Sequence, residues 1–165
     1  MSPDDKSLQA EAQEVAERLC RRGWLLAAAE SCTGGWLAKV CTDLPGSSAW
    51  FERGFVTYTN QSKQEMLGVR AETLAAHGAV SEATVTEMAA GALHNSRAQI
   101  SVAISGIAGP GGGSAEKPLG TVCFAWGIEG EAPQSERCRF DGDREQVRRQ
   151  AVLHALQGVA RRLDD

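Results

Sequence analysis

The spacing of hydrophobic and polar positions changes along the chain, and these changes predict helices alternating with strands. Apolar residues recur at helical spacing over residues 7–22, where Leu8 and Leu19 share one face. Gly23 ends that stretch, and the continuous apolar run over 24–29 is typical of a buried strand. The same patterns predict further helices over 33–42, 61–76, 81–97 and 143–163, and further strands over 51–59, 100–104, 121–128 and 136–140.

Capping and turn residues bound several of these elements. Ser81 is a candidate N-cap for the helix that follows it, and residues 143–146 (Asp-Arg-Glu-Gln) resemble a capping box that opens the last helix. The last two strands are joined through the glycine- and proline-containing stretch 127–133, which predicts an antiparallel hairpin. Because strands alternate with helices early and a hairpin comes late, we expect one α/β domain over residues 1–165. Its mixed, partly parallel sheet is expected to lie between two helix layers, as a three-layer α/β/α fold.

Composition and charge narrow the classes of partner. Hydrophobic residues make up 42% of the 165, and 17 Lys and Arg against 21 Asp and Glu give a net charge of −4. A general nucleic-acid binder would carry a broad basic field, so we expect no nucleic-acid partner. The longest apolar run is far shorter than the ~20 residues that span a bilayer, and the N-terminus is acidic without an apolar core. We therefore expect no membrane segment, no signal peptide and a cytoplasmic location.

Cysteine and histidine positions predict neither a disulfide framework nor a metal site. The five cysteines are odd in number and include no C-x-x-C pair. His77, His94 and His154 are scattered through predicted helices without ligand-like spacing. We expect the thiols to be reduced and no metal to be bound.

The segment 29–35 (Ala-Glu-Ser-Cys-Thr-Gly-Gly) is the first candidate for chemistry. It joins a predicted strand to a predicted helix, and ligands bind at the carboxyl ends of strands in open α/β sheets. A hydroxyl placed there has the free N–H groups of a helix start nearby, and these donors could stabilise an oxyanion. Alternatives remain open: Ser31 or Thr33 is only an N-cap, and Cys32 is either the nucleophile itself or a buried thiol.

A second candidate pairs a phenol with an amine. Tyr58, the only tyrosine, ends a predicted strand, and Lys63 opens the next helix, so both point toward the same edge of the sheet. A lysine can act as general base for a serine when burial or neighbouring cations lower its pKa from about 10.4 toward 7. The alternative is a surface lysine near a helix start.

Two further features could bind an anion. The glycine-rich segment 105–113 follows a buried strand, and successive backbone N–H groups there can form an anion-binding concavity. It matches neither the dinucleotide-binding nor the P-loop motif, and a flexible connection is the alternative. Arg144 opposes the dipole of the last helix, which indicates either a bound phosphate or carboxylate or an ion pair with Asp141 or Asp143. Arg148 lies one turn further along.

Together and in this order, the motifs resemble the C-terminal-domain family of CinA, the competence/damage-inducible protein A. The resemblance covers about residues 8–163 and is similar in extent to the stand-alone form of the family, without the extra N-terminal domain of some members. Members of this kind are bacterial enzymes of pyridine nucleotide salvage that hydrolyse nicotinamide mononucleotide to nicotinic acid mononucleotide and ammonia. The segments that carry the resemblance are 29–35, 45–48, 55–60 with Lys63, 77–81, 105–110 and 142–144.

The resemblance implies a serine acyl-enzyme mechanism that requires no metal or organic cofactor. Ser31 would be the nucleophile and Lys63 the base that takes its proton, while Tyr58 and Ser48 would support proton transfer and substrate positioning. Arg144 would bind the 5′-phosphate of nicotinamide mononucleotide. The full set of expected substrate contacts is Thr33, Gly34, Ser48, Ser105, Gly106, Gly109 and Arg144.

Several questions stay open at this point. A catalytically idle nucleotide-binding or interaction module is the alternative function. Tyr58 and Lys63 compete for the role of immediate base, and Arg144, Arg148 and the glycine-rich segment compete for the phosphate. The oligomeric state is not fixed, although Trp36 and Trp50, expected to be exposed near turns, are candidates for a contact in a homo-oligomer.

Overall fold

A computed structural model of the chain describes residues 2–164 and contains a sheet flanked by helices. The strands are β1 (Leu26–Glu30), β2 (Phe51–Val56), β3 (Ile100–Gly106), β4 (Thr121–Ile128) and β5 (Gln134–Arg139). The α-helices are α1 (Asp5–Arg22), α2 (Trp36–Thr42), α3 (Asn60–Leu67), α4 (Ala71–His77), α5 (Glu82–His94) and α6 (Arg144–Arg162). A short 3-10 helix, Ser47–Ala49, precedes β2.

The five strands form one mixed sheet in the order β2-β1-β3-β4-β5. β1 pairs in parallel with both β2 and β3, whereas β4 and β5 continue the sheet in antiparallel fashion. Glu30, the last residue of β1, is in register with Val56 on β2 and with Ile104 on β3. The carboxyl ends of the three parallel strands therefore meet at one edge of the sheet, where ligands bind in open α/β folds.

Helices cover both faces of the sheet because the buried strands have apolar side chains on both sides. On β1, Leu26 and Ala28 join the core under α1, α2 and α6, while Ala27 and Ala29 join the core under α3, α4 and α5. The predicted three-layer α/β/α architecture and the late antiparallel hairpin are confirmed. Within residues 2–164, no helix is both long enough and apolar enough to cross a membrane.

Capping residues fix most helix boundaries, and several predicted boundaries were wrong. Strand β2 ends at Val56 rather than at residue 59, and α5 ends at His94 rather than at residue 97. The Ser81 N-cap of α5 and the capping box formed by Asp143 and Gln146 at α6 are confirmed. The single helix predicted over 61–76 is instead α3 and α4, because Gly68 adopts a left-handed conformation (φ 68°) that ends α3. Helix α2 begins at Trp36 rather than at residue 33, since residues 31–35 form a separate turn.

A close contact between two helices sets the position of α3. A Cβ atom on Gly91 of α5 would lie 1.9 Å from the carbonyl oxygen of Leu67 at the end of α3. Only glycine permits this approach, so α3 sits deep against α5. The depth matters because α3 carries Lys63.

Among the tryptophans, the structure corrects one expectation of exposure. Trp50 is only 2% exposed and belongs to the core under α1, α2 and α6, so the prediction that it is an exposed contact residue was wrong. Trp36 is partly buried beneath the guanidinium groups of Arg148 and Arg149. The large hydrophobic side chains that are exposed among the described residues are Val56, Tyr58, Met66 and Leu119.

Candidate active site

The centre of the site is a buried contact between a hydroxyl and an amine. Ser31 follows β1 directly, and Lys63 lies near the start of α3. The Lys63 Nζ atom lies 3.0 Å from the Ser31 Oγ atom and donates a hydrogen bond to the carbonyl oxygen of Thr57 (2.9 Å). Lys63 is 1% exposed and Ser31 is 8% exposed. The fold thus brings together two candidate residues that are 32 positions apart in the chain.

The segment between β2 and α3 positions Lys63 through a backbone hydrogen bond to β1 and a helix cap. The Thr57 amide donates to the carbonyl oxygen of Glu30 (2.8 Å), so the chain stays aligned with β1 past the end of the strand. Thr59 then begins α3 through a reciprocal capping box with Ser62. Lys63, one residue later, is directed back over the end of β1.

Burial disfavours the charged form of Lys63. Removing the ammonium from water disfavours its charged form, and this lowers the pKa of Lys63 below its ordinary value. The weaker opposing influence is Cys32. An amine with a lowered pKa has a larger uncharged fraction near neutral pH, and the uncharged amine has the lone pair that a general base needs.

Cys32 is poorly suited to be the nucleophile. Its side chain is 6% exposed, and burial raises the pKa of the thiol to about 12. Because the thiolate is the reactive form of cysteine, this environment keeps Cys32 inert. Lys63 contacts the hydroxyl of Ser31 instead, which favours Ser31 over its neighbour.

The carboxylate of Glu30 caps the start of α2 by accepting hydrogen bonds from N–H groups of its first turn. This carboxylate is 1% exposed and accepts hydrogen bonds from the amides of Leu37 (2.9 Å) and Ala38 (3.0 Å). A buried carboxylate therefore occupies the Leu37 and Ala38 amides, so the expected oxyanion donors of the helix start are not these two groups. The alternative that Ser31 or Thr33 is the N-cap was wrong, because neither hydroxyl accepts from the first turn of α2.

Arg148 holds the turn that carries Ser31. Its Nε donates to the carbonyl oxygen of Cys32 (2.9 Å) and its Nη2 to that of Thr33 (3.2 Å). Gly34 in the same turn is left-handed (φ 56°), and a Cβ there would lie 3.4 Å from Arg148 Nη2. The structure thus directs this guanidinium to the protein backbone, which argues against Arg148 as the residue that binds phosphate.

The end of β3 forms the floor of the site. The carbonyl oxygen of Ile104 accepts from the Ser31 amide (3.0 Å), and Ser105 beside it is 1% exposed. Strand alternation places Ser105 on the same face of the sheet as α3 and Lys63. A Cβ atom on Gly106 would lie 3.1 Å from the Cys32 sulfur, so glycine at this position allows the turn to pack against β3.

Arg144, Gly109 and Tyr58 form the rim of the site, where Arg144 contacts the other two residues. Its Nη1 donates to the carbonyl oxygen of Gly109 (2.9 Å) and its Nη2 to the hydroxyl of Tyr58 (3.0 Å). Within residues 2–164 it forms no ion pair with either neighbouring aspartate. Tyr58 is 58% exposed, and its hydroxyl contacts Arg144 rather than Lys63. Of the two candidate bases, Lys63 is the one that contacts Ser31.

Two hydroxyl-bearing candidates differ sharply in their positions. Thr33 is fully buried in the turn after Ser31, and its hydroxyl has no hydrogen-bond partner within the described part of the chain. Ser48 is exposed in the 3-10 helix that precedes β2. Since β2 runs parallel to β1, the residues before it lie at the opposite edge of the sheet from Ser31. The expected role of Ser48 beside Ser31 is not supported by this arrangement.

Sequence reasoning missed the residues that support the Ser31–Lys63 pair. Glu30 was visible as an acid at the end of an apolar strand, and that isolated charge was the available signal. The clamp formed by Arg148 and the Thr57 carbonyl that accepts from Lys63 had no such signal, because both depend on contacts between separate elements.

Sequence and structure comparisons with known proteins point to the same family. The family model of the CinA C-terminal domain matches residues 8–163. The chain is 59% identical over 154 residues to the nicotinamide-nucleotide amidohydrolase PncC of Escherichia coli strain K12, covering 93% of each chain. It is 51% identical over 148 residues to the protein of the same name from Pseudomonas putida, covering 90% of this chain and 92% of that one. The crystal structure of the competence/damage inducible protein CihA from Agrobacterium tumefaciens superimposes with a TM-score of 0.92 at 43% identity, covering 100% of this chain and 99% of that chain.

Proposed function

This chain belongs to the CinA C-terminal domain family, and from that premise we propose that it hydrolyses the carboxamide of nicotinamide mononucleotide to give nicotinic acid mononucleotide and ammonia. The relatives named above as nicotinamide-nucleotide amidohydrolases support the choice of substrate. The observation that carries the proposed chemistry is the 3.0 Å contact between a buried lysine amine and a buried serine hydroxyl.

The first step is attack by Ser31 on the carboxamide carbon. Uncharged Lys63 donates one N–H to the Thr57 carbonyl and accepts the Ser31 proton through its lone pair. The Ser31 Oγ atom forms a bond to the carbon, and the carbonyl π electrons move to the oxygen. This produces a tetrahedral intermediate and an ammonium on Lys63.

Backbone amides of the 31–35 turn are the proposed oxyanion donors. The amides of Cys32 and Thr33 follow the nucleophile directly, and within residues 2–164 no oxygen atom accepts from them. The clamp from Arg148 and the cap from Glu30 hold this turn rigid, so its donors are oriented before the reaction begins. One such donor stabilises the transition state by about 3 kcal/mol.

Collapse of the intermediate expels ammonia and leaves an ester on Ser31. The Lys63 ammonium gives its proton to the leaving nitrogen as the carbon–nitrogen bond breaks. Lys63, again uncharged, then removes a proton from water, which attacks the ester. The Ser31 oxygen leaves with the proton from Lys63, and nicotinic acid mononucleotide is released. Each step uses groups of the chain and water.

The rim residues are the proposed nucleotide-binding residues. Arg144 bridges Gly109 and Tyr58 and keeps an exposed face, which suits contact with the 5′-phosphate. Thr33 and Gly34 belong to the turn that carries Ser31, and Ser105 and Gly106 end the neighbouring strand β3. We propose these four as the residues that contact the nicotinamide ring. We place the reaction in pyridine nucleotide salvage, since it returns nicotinamide mononucleotide to the acid form.

Incubation of the purified chain with nicotinamide mononucleotide tests the proposal. We expect ammonia and nicotinic acid mononucleotide to appear in equal amounts, with turnover many times the enzyme concentration. The rival function, a catalytically idle nucleotide-binding module, predicts binding of the nucleotide by calorimetry without release of ammonia. Binding without turnover would therefore overturn the enzyme proposal.

A further inference from the structure

A second cluster of reactive side chains lies at the outer edge of the sheet, away from Ser31. Glu136 and Cys138 stand two residues apart on β5 and so share one face of that strand. His154 of α6 covers them: its Nε2 atom lies 2.5 Å from Glu136 Oε1 and 3.5 Å from Cys138 Sγ. Against the expectation from the sequence that no metal is bound, we propose that this edge cluster of Glu136, Cys138 and His154 is a binding site for a divalent transition metal, with Zn²⁺ as the ion that fits it best.

The distances within the edge cluster are close to those of a zinc site. Zinc bonds of about 2.3 Å to sulfur, 2.0–2.1 Å to nitrogen and 2.0–2.2 Å to oxygen place tetrahedral ligand atoms about 3.4–3.6 Å apart. The sulfur–nitrogen separation of 3.5 Å already matches. The carboxylate oxygen lies 3.1 Å from the sulfur and 2.5 Å from the imidazole nitrogen. It would have to move outward by about 1 Å to reach a tetrahedral position, which a side chain that is 41% exposed can do.

The donor set selects the metal. A thiolate, an imidazole and a carboxylate are the ligands of Zn²⁺ and of borderline ions such as Co²⁺, whereas Mg²⁺ and Ca²⁺ prefer oxygen ligands alone. On binding, the metal would displace the thiol proton of Cys138. The resulting thiolate and the Glu136 carboxylate then balance the charge of a divalent ion, while Arg161 lies nearby as an opposing cation. Three protein ligands at a partly exposed position leave the fourth coordination position to water.

The surroundings of His154 hold its ring ready for a ligand role. The ring packs against Phe124 (4.6 Å between centroids), Phe140 (5.9 Å) and Trp126 (6.0 Å). An imidazole fixed in this way loses little freedom when it binds a metal. A metal here would tie the edge strand β5 to α6, so we expect it to stabilise the fold.

The geometry of the edge cluster does not suit the alternative function, a relay in which Glu136 orients His154 and His154 activates the Cys138 thiol as a nucleophile. In such a relay the two ring nitrogens of histidine contact different partners, but here Glu136 and Cys138 both contact Nε2. Convergence of three donors on one point is instead the arrangement that a metal requires. The edge cluster is also separate from the amidohydrolase site, because His154 lies ten residues beyond Arg144, about 15 Å along α6.

The test uses the purified chain after removal of metals with a chelator. Titration with Zn²⁺ against a chromophoric chelator should show one high-affinity ion per chain, and Zn²⁺ should raise the Tm of the full chain. Co²⁺ in its place should give the charge-transfer absorption of a cobalt–thiolate bond. The variant Cys138→Ser should abolish that absorption, and Glu136→Gln or His154→Gln should weaken Zn²⁺ binding by about tenfold or more.

Matched variants outside the cluster provide the control. Cys20 and His94 are exposed, so Cys20→Ser and His94→Gln should bind Zn²⁺ as the unchanged chain does. Absence of the cobalt–thiolate absorption in the unchanged chain, or equal Zn²⁺ affinity in Cys138→Ser, would overturn the proposal. If His154→Gln fails to fold, Cys138→Ser alone decides, because it changes one atom in a partly exposed side chain.

Discussion

The Ser31–Lys63 pair and the edge cluster both place a potential nucleophile beside a nitrogen base, yet they suit different chemistry. Lys63 is buried, a neutral carbonyl accepts from it, and no carboxylate within residues 2–164 contacts it. Its amine therefore tends to lose its charge and gain a free lone pair. In the edge cluster a carboxylate lies against both the thiol and the imidazole. There a carboxylate oxygen, a sulfur and an imidazole nitrogen converge on one point, which favours a metal cation that displaces the thiol proton.

The difference shows that reactivity depends on what surrounds the pair. A base needs the absence of a counter-charge, because a nearby carboxylate would keep Lys63 protonated. A metal site needs that same carboxylate. The two sites also differ in burial: Ser31 and Lys63 are buried in the interior, whereas the residues of the edge cluster are partly exposed to solvent.

Removing the Ser31 hydroxyl should have the largest effect. We expect Ser31→Ala to lower the rate of ammonia release from nicotinamide mononucleotide by several orders of magnitude, because the acyl-enzyme cannot form. Cys32→Ala should keep most of the rate, and Cys138→Ser should keep all of it. Inactivation by a thiol reagent that maps to Cys32, combined with an active Ser31→Ala, would assign the chemistry to the thiol instead.

Replacing Lys63 with a cation that cannot lose its proton should be nearly as severe. Guanidinium stays charged in proteins, so Lys63→Arg keeps a positive charge at the site but supplies no base. We expect steady-state assays to find almost no turnover, while circular dichroism confirms the fold. A substantially active Lys63→Arg enzyme would show that the amine does not accept the serine proton.

The role of Arg144 can be separated from that of the reacting pair by the choice of substrate. An arginine–phosphate contact is charge-assisted, and its loss should reduce kcat/KM for nicotinamide mononucleotide by about tenfold or more. The riboside, which lacks the phosphate, should be a poor substrate that is little affected by Arg144→Ala. Equal losses on both substrates would make Arg144 a structural residue and shift the phosphate to the glycine-rich loop.

Glu30 should affect stability more than chemistry. Glu30→Gln keeps one acceptor oxygen but turns an amide N–H₂ toward the N–H groups of α2, leaving a buried donor unpaired. We expect a loss of about 1–3 kcal/mol in the free energy of unfolding, measured with denaturant, and only a modest fall in rate. The exposed residue Glu129 offers the matched control, and Glu129→Gln should change neither quantity. Equal stability of the two variants would contradict the capping role.

Most of the fold could be predicted because its signals are local. Ser81 and Asp143 mark helix starts through their own side chains, and the late hairpin follows from turn residues between two strands. The break at Gly68 was missed because a glycine within a helical pattern is compatible with either one helix or two. The start of α2 at Trp36 was missed because Glu30, six residues earlier, supplies the cap.

The candidate site was predictable only in part, because only some of its residues give a local signal in the sequence. Ser31 and Lys63 belong to recognisable motifs at strand ends, and parallel strands bring such ends together. The Arg148 clamp and the edge cluster depend on a helix and a strand meeting side by side. His154 lies 16 residues from Cys138, a separation that no local spacing rule detects.

The pH dependence of kcat/KM tests the central claim, that Ser31 is activated by an uncharged Lys63, most directly. The active form of Lys63 is the one without the extra proton, and burial lowers its pKa. We therefore predict that kcat/KM for nicotinamide mononucleotide rises with pH through an apparent pKa well below ~10.4 and then levels off. A rate that falls as pH rises through the neutral range, or that climbs only at the ordinary pKa of lysine, would contradict the account.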